Sequence, residues 1–371
     1  MLDLTRHPKL LRWLGRLDRA RAFFGGQKQG WREADQNLAA FYARVWKEAA
    51  SALGADLVDL GQGAFEIRLG ETWTRVAENA TAIDDLASHR VVRLKVVMYR
   101  LLQAAGFPIP RHVVFDVEDM RPAVAFLEST DRECVLKPAG GTGGGRGVAT
   151  RLRTRWQLAR AAQAAARFGE ELLIEEQVEG ENYRLLYLDR QLLDAVRRKP
   201  PSVTGDGTAT VAELVRQANA LRLARGAEVS HSLLPVDLDM KRTLAVQGLS
   251  LASVPPRGTV VTLKTAINDN GGADNETVTH LLCRELVEDG SRAAALAGLR
   301  LAGVDVITRD PGKPLRESGG VILEVNSPPG YYWHYHKRDG VCPVAEHVLR
   351  ALLKQRVDTP RSPEYRWEPS R

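Results

Sequence analysis

The residues best suited to hold an anion lie together in "VLKPAGGTGGGRGV". Lys137 ends a strand-like apolar run, and Gly140, Gly141, Gly143, Gly144, Gly145 and Gly147 follow it, six glycines in eight positions. Without a Cβ, backbone N–H groups can close on an anion and positive φ carries no steric cost. Nucleotide phosphates are the usual guest of such a loop. The Walker pattern GxxxxGK[ST] is absent, and a GxGxxG match means little in so glycine-rich a stretch. A merely flexible surface loop would read the same way, but a lysine held at a strand end favours the anion. A second group is Asp305 in "AGVDVI" with Glu324 and Asn326 in "ILEVN". Positions i and i+2 of a strand share a face, so these oxygens can converge, and three oxygen ligands suit Mg²⁺. Separate solvated acids on strand edges are the plain alternative. Charges inside apolar strands, however, are expensive unless partnered.

The elements that must position these groups alternate. Residues 1 to about 55 read as helices, with Leu38, Phe41, Val45, Trp46, Ala49 and Leu53 at helical spacing as a core-facing stripe. "DLVDLGQGAFEIRLGETWTRV" reads as a glycine-turned hairpin, and "RLKVVMYRLLQAAGFPIP" as a helix stopped by Gly106 and Pro108. From 111 onward strands alternate with helices to "QLLDAVRR", an α/β or α+β pattern. "KPPSVTGDGTATVAELV" is a Pro/Gly-turned loop entering a helix, a long irregular region then runs to about 275, 277–300 is a helix, and two strands close the core. The last residues, "VDTPRSPEYRWEPSR", read as a tail.

With 371 residues, of which 44% are hydrophobic, two or three packed lobes are expected. No apolar run is long enough to span a membrane, and the three cysteines, Cys134, Cys283 and Cys342, are too scattered for a disulfide framework or zinc site. A soluble cytoplasmic protein with reduced thiols is the expectation. The balance of 52 basic against 46 acidic residues gives +6. The charges are interspersed and only 6% of residues are aromatic, so nucleic acid is not the expected partner.

Taken in order, "RLKVVMYRLLQAAGFPIP", "VLKPAGGTGGGRGV", "LIEEQVEGENYRLLYLDRQLLDAVRRKPPSVTGDGTATVAELV", "INDNGG", "AGVDVI" and "LEVNSPPGYYWH" resemble the ATP-grasp family. In detail they are similar to the ligase core of cyanophycin synthetase and its fused glutathione-synthetase-like relatives. The resemblance implies an α+β fold in which two lobes clasp ATP. Its domain would span about 91–355, with a lid lobe near 110–180 and a metal and substrate lobe near 181–355. A helical and hairpin region over 1–90 would precede it, and a tail over 356–371 would follow. The C-terminal Mur-ligase-like half of cyanophycin synthetase and most of its N-terminal domain have no counterpart, so polymer synthesis from two carboxylate activations is not expected.

The resemblance also implies roles. Lys95 and Lys137 would hold phosphates while loop 140–147 closes over them. The Glu175 carboxylate or carbonyl, with the backbone of Gln177 and Val178, would meet the adenine edge. Asn182 falls where the family places an acidic residue on the ribose, which would weaken that contact. Arg198, with Arg197 behind it, would stabilise the transferring phosphoryl group and Arg184 the substrate side. Asp305, Glu324 and Asn326 would carry two Mg²⁺ ions.

The implied activity is ATP-dependent ligation of a carboxylate to an amine on amino-acid or peptide substrates. An ATP-grasp kinase or a purely ATP-binding regulatory protein is the alternative, and a homo-oligomer is compatible with the sequence. "YYWHYH" follows the metal strand, and the resemblance places His334 beside the acceptor carboxylate. The run lacks a period of 2 or 3.6 and follows Pro328-Pro329-Gly330, so it reads as a pocket-lining loop, with core packing as the alternative.

Overall fold

Residues 28–140, 145–224, 233–265 and 275–354 are described in a computed structural model. Gly141, Gly143 and Gly144, the "INDNGG" segment and the 356–371 tail therefore lie outside the described residues, as do residues 1–27.

Helix Lys28–Leu53 buries Phe41, Val45, Trp46 and Ala49, four members of the expected stripe. The glycine-turned segment after it is a four-stranded antiparallel meander rather than one hairpin: β1 (Asp56–Gly61), β2 (Ala64–Leu69), β3 (Thr72–Ala77) and β4 (Ala80–Thr81). Phe65, Ile67 and Val76 face the helix. The same core takes in Tyr331, Tyr332, Tyr335 and helix Val344–Lys354.

The first lobe is an antiparallel sheet in the order β5 (His112–Asp116), β8 (Glu171–Glu176), β6 (Cys134–Pro138), β7 (Ala149–Leu152). Helices Arg121–Glu128 and Arg155–Ala165 cover its inner face through Ala123, Phe126, Leu158 and Ala162. The second helix starts at a capping box, Thr154 accepting from the backbone N–H of Gln157 while the Gln157 side chain reaches back to Thr154.

The second lobe is a five-stranded sheet in the order β13 (Glu276–Thr277), β10 (Gln191–Arg198), β9 (Glu181–Leu188), β14 (Leu301–Thr308), β15 (Val321–Asn326). Its pairs are antiparallel, so the architecture is α+β. Helices Lys95–Ala104 and Arg284–Leu296 pack beneath it.

The described residues after the expected helix at Val211, 233–265, are more ordered than their sequence suggests. Strands β11 (Ser202–Thr204) and β12 (Val260–Thr262) pair, and helices Val211–Ala224 and Leu238–Val246 join them in a small core around Val211, Met240, Leu244 and Val261. Proline and glycine punctuation hid this order, because each element is short.

Gly290 lies in helix Arg284–Leu296, where alanine ordinarily gains about 1 kcal/mol over glycine. An added Cβ would stand 2.7 Å from Cζ of Tyr187, a fully buried ring whose hydroxyl donates to the Val287 carbonyl at 2.9 Å. The collision outweighs the propensity. Gly290→Ala should lose about 1–3 kcal/mol, seen as a lower Tm in thermal denaturation; an equal or higher Tm would show that the ring yields freely.

Candidate functional site

The register of three strands assembles the charged centre. Arg184 on β9 lies opposite Asp305 on β14, and Asp305 lies opposite Glu324 on β15. Asn182 is in register with Arg198 and Ile307, and Asn326 with Gly303. Directly opposed residues share a face. Asn182, Arg184, Arg198, Asp305, Glu324 and Asn326 thus form one polar field over an apolar sheet.

Arg184 grips Asp305 with both arms, Nη2 lying 2.9 Å from Oδ2, and Nδ2 of Asn326 donates to the same Oδ2 at 3.1 Å. Burial alone pushes the Asp305 carboxyl up, but Arg184, then Arg198 and Asn326, overcome this and hold it below the ordinary carboxylate value. Gly303 makes room for the arrangement: a Cβ there would sit 3.1 Å from both Cδ and Nη1 of Arg184. Lys95, the first residue of its helix, reaches across to ion-pair with Glu324.

On the first lobe, Nζ of Lys137 donates to Glu175 Oε1 at 2.8 Å and to the Tyr99 hydroxyl at 3.1 Å. That hydroxyl donates to Glu175 Oε2 at 2.9 Å. Burial first, then the Glu175 charge, raises the Tyr99 pKa well above its ordinary value, so the phenol stays protonated. Tyr99 was not singled out by sequence reasoning. It lies four residues after Lys95, one helical turn along the same face, and that spacing was the available signal.

Both halves open on one cavity of about 940 Å³. Its walls include Lys95, Lys137, Gly145, Glu175, Gln177, Val178, Asn182, Arg184, Arg198, Asp305, Glu324 and Asn326, from both lobes. Gly140 bridges to Leu94 at the base of the loop. Gly147 has a φ of 77°, and a Cβ would stand 2.7 Å from Phe168 Cδ2, so packing as well as chain flexibility requires glycine there.

Two adenine-edge expectations are refined. The Glu175 carboxylate is taken by Lys137 and Tyr99, and the Gln177 backbone N–H donates to the Glu133 carbonyl at 2.7 Å. The Glu176 backbone N–H is engaged as well, donating to the Arg111 carbonyl at 2.9 Å.

The donor set fits Mg²⁺. Among the described residues no three His, Cys, Asp or Glu converge, so the candidate ligands are two carboxylates and one carboxamide. Because Nδ2 of Asn326 faces Asp305, its oxygen is the group left to join Asp305 and Glu324 as a hard ligand.

The expectation for the aromatic run is corrected. Residues Tyr332–Tyr335 form a short helix, not a loop, and Tyr331, Tyr332 and Tyr335 are buried in the core shared with helix Lys28–Leu53. Phe41 packs edge-on against Tyr332 and Tyr335, each at 5.5 Å. His334 has no exposed surface and is absent from the cavity wall. Its Nδ1 lies 2.9 Å from Asp194, which also receives Lys337 at 2.7 Å. Trp333 alone of the six residues lines the cavity, with Arg198 over its ring at 5.1 Å. Packing won because the aromatic core of the N-terminal region was waiting for this run. Helix Lys28–Leu53 supplies that core from as far as Tyr42, 289 residues before Tyr331, where no local period can report it.

No family model matches the chain. Cyanophycin synthetase of Nostoc sp. is 34% identical over 246 residues, which are 65% of this chain and 27% of that protein. Glutathione biosynthesis bifunctional protein GshAB of Pasteurella multocida is 31% identical over 287 residues, 75% of this chain and 37% of that protein. The crystal structure of a bifunctional glutathione synthetase from Pasteurella multocida superposes with a TM-score of 0.52 at 24% identity, covering 81% of this chain and 41% of that one. The chain spans less than half the length of each.

Burial lowers the His334 pKa below its ordinary 6.5, aided by Arg184 and Lys337 and opposed by Asp194. The unfolded chain therefore takes up this proton first, so stability present above pH 6.5 is lost as pH falls below it. His334→Gln should lower Tm at neutral pH yet show a shallower fall in Tm between about pH 7 and pH 5. An unchanged acid slope would show that His334 is not the group responsible.

Proposed function

We propose that this chain, whose α+β architecture is the ATP-grasp fold, is an ATP-dependent carboxylate–amine ligase acting on amino-acid or peptide substrates. One observation carries the reading. Asp305, Glu324 and Asn326 share one sheet face in register and meet Lys95, Lys137, Arg184 and Arg198 in a single cavity. That is a device for neutralising polyphosphate charge.

In the reaction so read, a substrate carboxylate oxygen attacks the γ-phosphorus of ATP, the bond to the β-phosphate breaks, and ADP leaves. The resulting acyl phosphate is attacked at its carbonyl by the lone pair of an amine. The carbon–oxygen bond to phosphate breaks, phosphate leaves with the electron pair, and the amine loses a proton to water. Lys137 and Lys95 would hold the phosphates as point charges, and Arg198, braced on Trp333, would meet the transferring phosphoryl group. Arg184, fixed by Asp305, would orient the substrate side, and Asn182 the ribose. Mg²⁺ held by Asp305, Glu324 and Asn326 would supply charge neutralisation at the phosphates. No covalent protein nucleophile is needed, so catalysis is positioning plus electrostatics.

Incubation with ATP, Mg²⁺ and mixed amino acids and dipeptides should release ADP only when an acid and an amine are both present, with a matching amide by mass spectrometry. A phosphorylated product without an amide would move the reading to a kinase. Glu324→Gln, which keeps shape and loses a charge, should slow turnover about 100-fold or more with Tm nearly unchanged. Normal turnover in that variant would remove Glu324 from the metal site.

A further inference from the structure

The N-terminal meander, outside the two nucleotide lobes, reaches the cavity through one side chain. Asn79 lies in the two-residue turn between β3 and β4 and lines the cavity wall beside Pro328 and Gly330. Its Nδ2 donates to the carbonyls of Pro328 at 3.2 Å and Pro329 at 3.3 Å. Both partners are acceptors, so the amide nitrogen must face them. Oδ1 is left without a hydrogen-bond partner among the described residues.

This orientation is enforced from behind. Glu78, the residue before it, has a left-handed φ of 51°, which a glutamate holds only when its surroundings fix it. Nε1 of Trp46, a fully buried ring, donates to the Glu78 carbonyl at 2.7 Å. The turn is thus pinned from its core side by Trp46 and from its cavity side by the loop after the metal strand.

The charged groups that line the cavity, and the hydroxyl of Ser327 next to Pro328, are unsuited to receive an amine. Arg93, Arg184 and Arg198 are cations, Asp305 and Glu324 are engaged by Arg184 and Lys95, and the Ser327 hydroxyl is paired with His89 Nδ1 at 2.9 Å. A neutral acceptor has a particular use here. A carboxylate would hold an incoming amine as its ammonium ion, with no lone pair to attack. An amide oxygen can accept an N–H bond and leave the lone pair free.

We propose that Oδ1 of Asn79 accepts the hydrogen bond of the amine substrate and orients it towards the acyl phosphate, which makes the N-terminal meander part of the acceptor site. This rests on the ligase reading above.

The test separates the two half-reactions in the full chain. Saturating hydroxylamine, with ATP, Mg²⁺ and an amino-acid pool, traps the activated carboxylate as a hydroxamate. The same pool without hydroxylamine gives amide. Asn79→Ala should raise the pool concentration needed for half-maximal amide formation about 10-fold, while hydroxamate formation, in which Asn79 takes no part, stays within about 2-fold. Asn79→Asp should shift the pH profile of amide formation upward by about one unit, because the new carboxylate holds the amine protonated; the hydroxamate profile should not move.

Parallel loss of both products in Asn79→Ala, with no profile shift in Asn79→Asp, would reduce Asn79 to a support for the 327–330 loop and overturn the proposal. Unchanged amide formation in both variants would also overturn it. A wild-type chain that forms neither hydroxamate nor amide defeats the ligase reading itself, and this inference with it.

Discussion

The pairing of Arg184 with Asp305 across β9 and β14 is the constraint on which the rest of the site depends. Two charges on strands that are otherwise apolar cannot remain there singly, since an unpaired buried ion costs several kcal/mol. Pairing sets the register. A slip of one residue in β14 would turn Asp305 into the core and Val304 or Val306 out of it. Once that register holds, β15 has no freedom either. Glu324 falls opposite Asp305, and Asn326 lies close enough to donate to it. The apolar residues between them, Val304, Val306, Ile322 and Val325, fill the opposite face, so the core and the site specify the same alignment.

The second feature of the site follows from the first. Each acid in the cavity that could bind a cation already faces a basic partner: Asp305 faces Arg184, Glu324 faces Lys95, and Glu175 faces Lys137. The partners come from different elements and, for Lys95 and Glu324, from segments far apart in the chain. Pairing therefore keeps each acid compensated before any polyanion enters. On the ligase reading, a triphosphate with its counter-ions would offer the same charges in a different arrangement, with Lys95 and Lys137 turning to phosphate and Glu324 to metal. Exchange of one set of partners for another costs far less than exposing bare charge, which suits a site that must fill and empty repeatedly.

Much of this was legible in the sequence because it is written at short range. Lys137 before the glycines, Glu324 and Asn326 two apart, and Asp305 inside an apolar strand all carry their meaning in local spacing, and the structure brings them to one cavity. What was not legible depends on long-range contact. The aromatic run after Gly330 could be core or pocket on its own composition. Only the arrival of Phe41, Tyr42 and Trp46 makes it core. Tyr99 and Asn79 went unnoticed for a related reason, since a lone tyrosine in a helix and a lone asparagine in a turn are ordinary until their partners are known. The Gly and Pro residues of 202–265 marked real turns but concealed the small core between them.

That small core links the lobes. Its chain leaves β10 just after Arg198, and Asp239, almost fully buried, accepts from the Thr150 hydroxyl at 2.6 Å and from the Thr265 backbone N–H at 3.1 Å. Arg242 donates to the Thr150 carbonyl at 2.8 Å. Thr150 belongs to β7, the strand that receives the chain from the glycine loop, and Thr265 lines the cavity. A displacement of the loop-bearing strand is therefore opposed by the segment that follows the Arg198 strand, through bonds largely shielded from water. The N-terminal module acts similarly on the residues that follow Asn326, which its core seats. Neither unit contributes to the central sheet, yet between them they fix both chain segments that leave the charged centre. Their sequences look like accessory connections because their effect lies in what they hold still.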